Sequence, residues 1–256
     1  MPLNEQLIIS TIEIAKEAGE AISQIYKSDF DYQIKRDLSP ITAADRLSHK
    51  IITERLKILT PEIPILSEEN CNIPFKVRAQ WSDYWLIDPL DGTKEFINNN
   101  GEFTVNITYW GSKNKGSFYL NANDDEVNIS VSNNHQNPIR IVVSRSHPSE
   151  MLNYVLEKII NYEIIKIGSS IKFCHIASGQ ADCYPRFGPT SEWDTAAGEA
   201  IVRYAGGHMV TLNGNLMQYN AKKDYLNPNF IVSSDKIISE SFLSLIHNGK
   251  SMTGKK

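Results

Sequence analysis

The stretch that most restricts what this chain can become is Trp85-Leu86-Ile87-Asp88-Pro89-Leu90-Asp91-Gly92-Thr93-Lys94-Glu95-Phe96. Trp85 to Ile87 is a short apolar run of β-prone residues and reads as a buried strand. Pro89 cannot donate to a ladder and biases Asp88 toward extended geometry, so the strand ends at Asp88. Leu90-Asp91-Gly92 then bends, and a short helix starts at Thr93. Two carboxylates this close at a strand end make a poor core and a good metal site. The first-turn N–H groups around Gly92, Thr93 and Lys94 can hold an anion at the same place. Metal and anion together predict metal-assisted phosphate chemistry. The plainer reading is a turn, since Asp-Pro and Asp-Gly are common turn dipeptides.

The rest of the chain leaves room for such a site. Its 256 residues suggest one large domain or two joined lobes, at roughly 100–200 residues per domain. Hydrophobic residues make up 41% and charged ones 22%, so a sizeable core can form. The net charge of -4 and the lack of a basic stripe interleaved with aromatics argue against nucleic acid as a partner. A small anionic ligand then needs local help from metals or a few basic side chains. Cys71, Cys174 and Cys183 form no CxxC pair, and an odd count of thiols fits a reducing compartment. The segment to Lys16 carries Glu5 and Glu13 and has no apolar signal region. No apolar run approaches the roughly 20 residues that span a bilayer. A cytoplasmic protein is expected, with loose association with the inner membrane left open.

Ile8, Ile12, Ala15, Ala18, Ile22 and Ile25 recur at helical spacing and predict a helix over about 4–27. Tyr32 to Lys35 reads as a strand. Thr42 with Asp45 has the capping-box pattern and opens a second helix to about Leu59, with Leu47, Ile51, Ile52 and Leu56 on its apolar face. Strands are predicted at 63–66, 103–110, 116–120 and 127–131, and 70–83 reads as a loop. Asn133 to Pro138 is the strongest linker signal. It divides a single domain, 1–256, into an N-terminal lobe of about 1–135 and a C-terminal lobe of about 136–256. The second half alternates strands at 139–143, 162–167, 183–184, 208–212 and 230–232 with helices at 148–160, 170–178 and 194–204. A last helix is capped by Ser234 and runs to about His247, before a polar tail from Asn248. Such alternation means α/β.

Asp88-Pro89-Leu90-Asp91-Gly92-Thr93, preceded by Ser67-Glu68-Glu69 and followed by Trp193-Asp194-Thr195-Ala196-Ala197-Gly198, resembles the inositol monophosphatase superfamily. The stretches 92–96, 100–106, 143–147, 168–174 and 184–189 are similar to its bacterial 3'(2'),5'-bisphosphate nucleotidase branch. The likeness runs from Asp45 to Pro228, and several motifs in order are far more specific than one. It implies an α/β (α+β) protein with the layered αβαβα sugar-phosphatase fold and a metal site between two lobes. It implies Mg²⁺-dependent removal of the 3'-phosphate from 3'-phosphoadenosine 5'-phosphate, giving AMP and phosphate, in sulfur assimilation and nucleotide turnover. Inhibition by lithium is also implied. A sibling reading is an inositol or sugar monophosphatase using the same metal site. The region from Gly116 to Ile139 departs from the pattern, being shorter by about one hairpin strand with its turn.

Mg²⁺ prefers oxygen ligands, so carboxylates suit it. By the resemblance, Glu68, Asp88 and the Leu90 carbonyl hold one ion and Asp88, Asp91 and Asp194 a second, with two or three ions in all. Glu68 and the Thr93 hydroxyl position and deprotonate the attacking water, and Asp45 assists a third ion and the base. Gly92, Thr93 and Asp194 meet the substrate. Ser144, His147, Gly168 and Lys172 resemble the positions that hold the nucleotide bisphosphate, Lys172 pairing with its 5'-phosphate. Arg145 and Arg186 are further candidates for phosphate contacts. Each has a plainer reading: Asp45 as a helix N-terminal carboxylate, Asp194 as an N-cap, Lys172 as a surface lysine and His147 as a capping turn. Glu69 reads as a solvated neighbour and the cysteines as inert buried thiols. No protein partner is implied, and a monomer is favoured over a homodimer.

Overall fold

The computed structural model describes residues 5–35, 40–104, 109–112, 116–121, 123, 125–133, 138–146 and 149–253. In chain order its elements are α1 (Glu5–Tyr26), β1 (Tyr32–Ile34), β2 (Pro40–Thr42), α2 (Ala43–Leu59), β3 (Ile65–Ser67), α3 (Phe75–Arg78), β4 (Trp85–Ile87), α4 (Thr93–Ile97), β5 (Tyr109–Ser112), β6 (Gly116–Leu120) and β7 (Glu126–Ile129). There follow β8 (Ile139–Ser144), α5 (Glu150–Leu156), β9 (Tyr162–Ile167), α6 (Ile171–Ala177), β10 (Cys183–Arg186), α7 (Glu192–Tyr204), β11 (His208–Thr211), β12 (Phe230–Ser233) and α8 (Lys236–Thr253).

The N-terminal stripe becomes α1, which buries Ile14, Ala18 and Ile22. α2 lies along it and is started by the capping box: Asp45 N donates to the Thr42 hydroxyl at 3.4 Å, and Thr42 N donates to Asp45 Oδ2 at 2.7 Å. Such a cap contributes about 1 kcal/mol, and its loss would fray the turn that carries Asp45. Leu47, expected on the apolar face, is 38% exposed. Ser48 is buried instead, where its hydroxyl donates to the Pro89 carbonyl at 2.7 Å.

Ile52 and Leu56 of α2 pack on Ile87 and Trp85, so the two helices cover β3 and β4. These strands are parallel, with Ser67 beside Ile87. Glu68 and Asp88 therefore leave the sheet side by side, and Glu68 N donates to the Ile87 carbonyl at 3.1 Å.

The second half is built on a five-stranded sheet in the order β11-β12-β10-β8-β9, with β8 parallel to both β9 and β10. Alternate residues of a strand point to opposite faces. Val142, Tyr184 and Val232 accordingly pack with Phe173 of α6 and Ile201 and Val202 of α7. Ile141, Val143, Cys183 and Ile231 pack on the other face with Val155 of α5 and Phe242 and Ile246 of α8. Phe173 and Phe230 meet the Tyr184 ring edge-on, with centroids 5.4 and 5.7 Å away. Each such pair adds roughly 0.5–1.5 kcal/mol beyond burial, which makes a firm seat for α6. Gly198 lets α7 press against α6, since a Cβ there would stand 2.4 Å from Phe173 Cγ. On its other side α7 meets β6, where the Ser117 hydroxyl donates to the Ile201 carbonyl at 2.7 Å. The layers thus run α1/α2, the small sheets, α6/α7, the five-stranded sheet, and α5/α8.

Several boundaries differ from expectation. The segment 70–83 holds the short helix α3, one turn long and so without a readable period. α5 is shorter than predicted and starts after Ser149, whose hydroxyl accepts from Leu152 N. Asp235 rather than Ser234 takes the Ile237 amide at the start of α8, which runs on to Thr253 through the predicted tail. The region expected to be short, 116–139, supplies β6 and β7, with Leu120 facing Glu126 across their turn. The linker residues 134–137, and residues 105–108 of the strand predicted over 103–110, lie outside the described residues.

Candidate metal and phosphate site

A cavity of about 240 Å³ opens where β4 ends and α4, α6 and α7 begin. Asp88, Asp91 and Asp194 bring carboxylate oxygens within 4.8 Å of one another there. Asp88 stands at the end of β4, and its Oδ1 accepts from Leu90 N at 3.1 Å, which closes the bend. Asp91 exchanges backbone hydrogen bonds with Thr104 in both directions at 2.9 Å. Its Oδ2 accepts from the Ser169 hydroxyl at 2.6 Å and from Ser170 N. Gly92 has φ 89°, and a Cβ would stand 3.0 Å from the Glu102 carbonyl oxygen. Glycine answers both constraints. Asp194 is the third residue of α7, not its N-cap: Ser191 holds that place, and Asp194 Oδ2 accepts from Ser191 N at 2.7 Å.

Burial, together with the charges of Glu68, Asp91 and Asp194, holds the Asp88 carboxyl well above the usual range. Burial and the Asp91 charge push Asp194 up to about 7. Among the described residues no lysine or arginine pairs with any of these three. Converging oxygen donors with excess negative charge are what a hard divalent cation offsets, so the residues fit Mg²⁺.

Glu68 lines the same cavity. Its carboxylate is paired with Lys35, whose Nζ lies 2.7 Å from Glu68 Oε1 and 2.7 Å from Glu69 Oε1. Burial raises the Glu68 pKa, against the Lys35 charge. Glu69, expected to be solvated, is 9% exposed in that pair. Lys35 carried no sequence signal, because its partners lie more than thirty residues away. Thr93 Oγ1 sits 3.1 Å from Asp45 Oδ1 and 3.3 Å from the Leu90 carbonyl oxygen. Asp45 is buried behind it.

Lys172 is 5% exposed and is among the residues that line the cavity. Nζ donates to the Ser169 carbonyl and lies 5.3 Å from the Tyr184 ring centre. Burial pushes its pKa down to about 8. Ser144 and Arg186 also line the cavity. Gly168 packs behind it: its amide donates to Glu102 Oε2 at 2.7 Å, and a Cβ would stand 2.7 Å from Glu95 Cγ. Arg145 pairs with the same Glu102. His147 lies outside the described residues. Ser169 and Ser170, which grip Asp91, were within reach of the Gly-Ser-Ser motif, where the sequence drew notice only to its glycine.

The chain belongs to the inositol monophosphatase family, whose model matches residues 3–109 and 106–251. Fold and site thus define a member of a phosphatase family with a carboxylate-lined cleft. More particularly, it is similar to the 3'(2'),5'-bisphosphate nucleotidase CysQ of Salmonella typhimurium, at 43% identity over 86% of this chain and 97% of that protein. CysQ of Escherichia coli K12 is 42% identical over the same shares, 86% and 97%. A crystal structure of CysQ from Bacteroides thetaiotaomicron superposes with a TM-score of 0.77 at 34% identity, covering 91% of this chain and 98% of that one. The fold also matches an IMPase/NADP phosphatase complexed with Mg²⁺ and phosphate, with a TM-score of 0.68, 17% identity and 90% of each chain covered. No described helix is long and apolar enough to cross a membrane.

Proposed function

We propose that this chain is a Mg²⁺-dependent 3'(2'),5'-bisphosphate nucleotidase that converts 3'-phosphoadenosine 5'-phosphate to AMP and phosphate. One observation carries the reading: Lys172, a buried cation, lines the same cavity as Asp88, Asp91 and Asp194. A bisphosphate offers one phosphate to carboxylate-held cations and a second to a fixed positive charge; a monophosphate has nothing for the second anchor. The activity of the CysQ relatives supports the same substrate class.

Asp88, Asp91 and Asp194 would hold one ion, and Glu68 with the Leu90 carbonyl would join Asp88 at a neighbouring one, in a set of two or three. When bound, these ions screen the phosphate, acidify a bound water and stabilise the leaving oxygen. The first-turn amides from Gly92 to Lys94 have no acceptor within their helix and are suited to phosphate oxygens. Thr93, held by Asp45, is suited to orienting a water and passing its proton to a carboxylate. Glu68 takes part in that step once Lys35 releases it. Lys172 and Ser144 anchor the 5'-phosphate end.

Lithium inhibition and a place in sulfur metabolism belong to this reading. So does a cytoplasmic location, which the free state of all three cysteines suits. The halves 1–135 and 136–256 are then lobes of one domain meeting at the cavity. Turnover of 3'-phosphoadenosine 5'-phosphate against inositol 1-phosphate, both at saturating Mg²⁺, tests the assignment. The nucleotide is the expected preference; the opposite preference makes the chain an inositol or sugar monophosphatase.

A further inference from the structure

Arg78 is a charged side chain that the site itself does not use. It ends α3 and is fully buried, at 0% exposure. Nη1 donates to Asn220 Oδ1 at 2.5 Å, and Nη2 donates to the Lys222 and Lys223 carbonyls at 2.8 and 2.6 Å. Asn220 Nδ2 returns a bond to the Arg78 carbonyl at 2.7 Å. The guanidinium carbon lies 4.4 Å from the Tyr225 ring centre and 4.8 Å from that of Phe75. The Tyr225 hydroxyl donates to the Cys71 carbonyl at 2.5 Å, just past Glu68. Segment 220–225 is thereby fastened to the connection between β3 and β4, the strands that carry Glu68 and Asp88.

The same segment holds the start of α7. Asn220 N donates to Glu192 Oε2 at 2.8 Å, and Glu192 N donates to the Tyr225 carbonyl at 2.9 Å. The Trp193 and Tyr225 rings sit 5.1 Å apart. Glu192 and Trp193 directly precede Asp194, the member of the carboxylate trio contributed by the C-terminal half. The carboxylates of Asp88, Asp91 and Asp194 repel one another when ionised unless a cation or a proton lies between them, so the approach of α7 needs support from elsewhere. A small misplacement of such groups is costly for binding and catalysis.

We propose that Arg78 is a positioning residue for the metal site: by clamping segment 220–225 it holds Asp194 at bridging distance from Asp88 and Asp91. The inference rests on the metal-site part of the proposed function and not on which ester is hydrolysed. A lysine keeps the charge but not the planar fork that reaches the Asn220 side chain and two carbonyls together.

The test is calorimetric titration of Mn²⁺ into the full chain as wild type, Arg78→Lys, Arg78→Met and Asn220→Gly. Glycine suits the left-handed φ of 54° at Asn220 and leaves the Arg78 charge in place, so this variant reports even if Arg78→Met does not fold. Arg78→Met is expected to weaken Mn²⁺ binding roughly tenfold or more, the scale seen for groups that orient metal ligands. Arg78→Lys and Asn220→Gly should fall between it and wild type. Turnover by Arg78→Lys should recover at high Mg²⁺, with KM for the ester unchanged once metal saturates. Wild-type Mn²⁺ affinity in folded Arg78→Lys and Asn220→Gly overturns the proposal, because a merely structural role lowers the melting temperature alone. Absence of Mn²⁺ binding by the wild type overturns the metal-site reading and this inference with it. Mn²⁺ binding with a preference for another ester removes only the substrate assignment.

Discussion

The Thr93 hydroxyl lies 3.1 Å from Asp45 Oδ1, across 48 positions of sequence. The other oxygen of that carboxylate accepts from the Thr42 amide at 2.7 Å and the Thr42 hydroxyl at 2.6 Å. Asp45 is therefore a helix-capping carboxylate and the acceptor for Thr93 at once. The cap fixes where the acceptor stands, so a device for helix stability also orients a hydroxyl in the cleft.

Asp45→Asn and Thr93→Ala should each lower kcat by about 10²–10⁴, the range for a lost acid–base group. An asparagine oxygen can still accept from Thr42 N, so α2 should persist. Steady-state rates at saturating Mg²⁺, with circular dichroism as control, check this. Wild-type rates in both variants would remove the pair from the chemistry.

Asp194→Asn should nearly abolish turnover without destabilising the metal-free protein. It deletes one of three clustered like charges and keeps an acceptor for Ser191 N. In EDTA the melting temperature should hold or rise, each kcal/mol being worth about 2–4 °C in a chain of this size. Mg²⁺ should raise the wild-type melting temperature, because it binds the folded form, and leave the variant's unmoved. A clear drop in EDTA would show that the trio is not under charge strain.

Lys172→Ala should raise KM for the bisphosphate far more than for a small phosphate ester. For the wild type, KM for the bisphosphate should climb as pH rises through about 8, where the buried amine loses its charge. The stability sign is opposite. The folded pKa lies below the unfolded value of 10.5, so the burial penalty is complete below about 8 and stability rises with pH across that window. Equal KM effects on both esters would take Lys172 out of the 5'-phosphate pocket.

Gly168→Ala should destabilise by about 1–3 kcal/mol through overpacking, since its Cβ would stand 2.7 Å from Glu95 Cγ and 3.0 Å from Glu102 Oε2. Chemical denaturation measures this directly. An unchanged midpoint would mean that the two glutamates yield freely.

Much of the architecture is readable because helix and strand periods are local. The α1 stripe, the Thr42/Asp45 box and the break at Asp88-Pro89 each depend on residues a few positions apart. α3 escapes such reading because four residues carry no period, and Arg78 passes for a surface residue because its partner Asn220 is 142 positions away. Asp194 is placed one turn position off because Ser191, three residues earlier, competes for the cap, and nothing in the spacing ranks the two.

Chain chemistry on its own dictates the acidic turn after β4, the bend that Gly92 permits and the order of helices and strands, since backbone sterics and near neighbours settle these. Packing over long separations settles the remainder: that Asp194 joins Asp88 and Asp91, that Lys35 pairs with Glu68 and Glu69, and that Arg78 is sealed inside. Those distances follow from the register of β3 on β4 and from the seating of α7 on α6, which spacing along the chain does not encode.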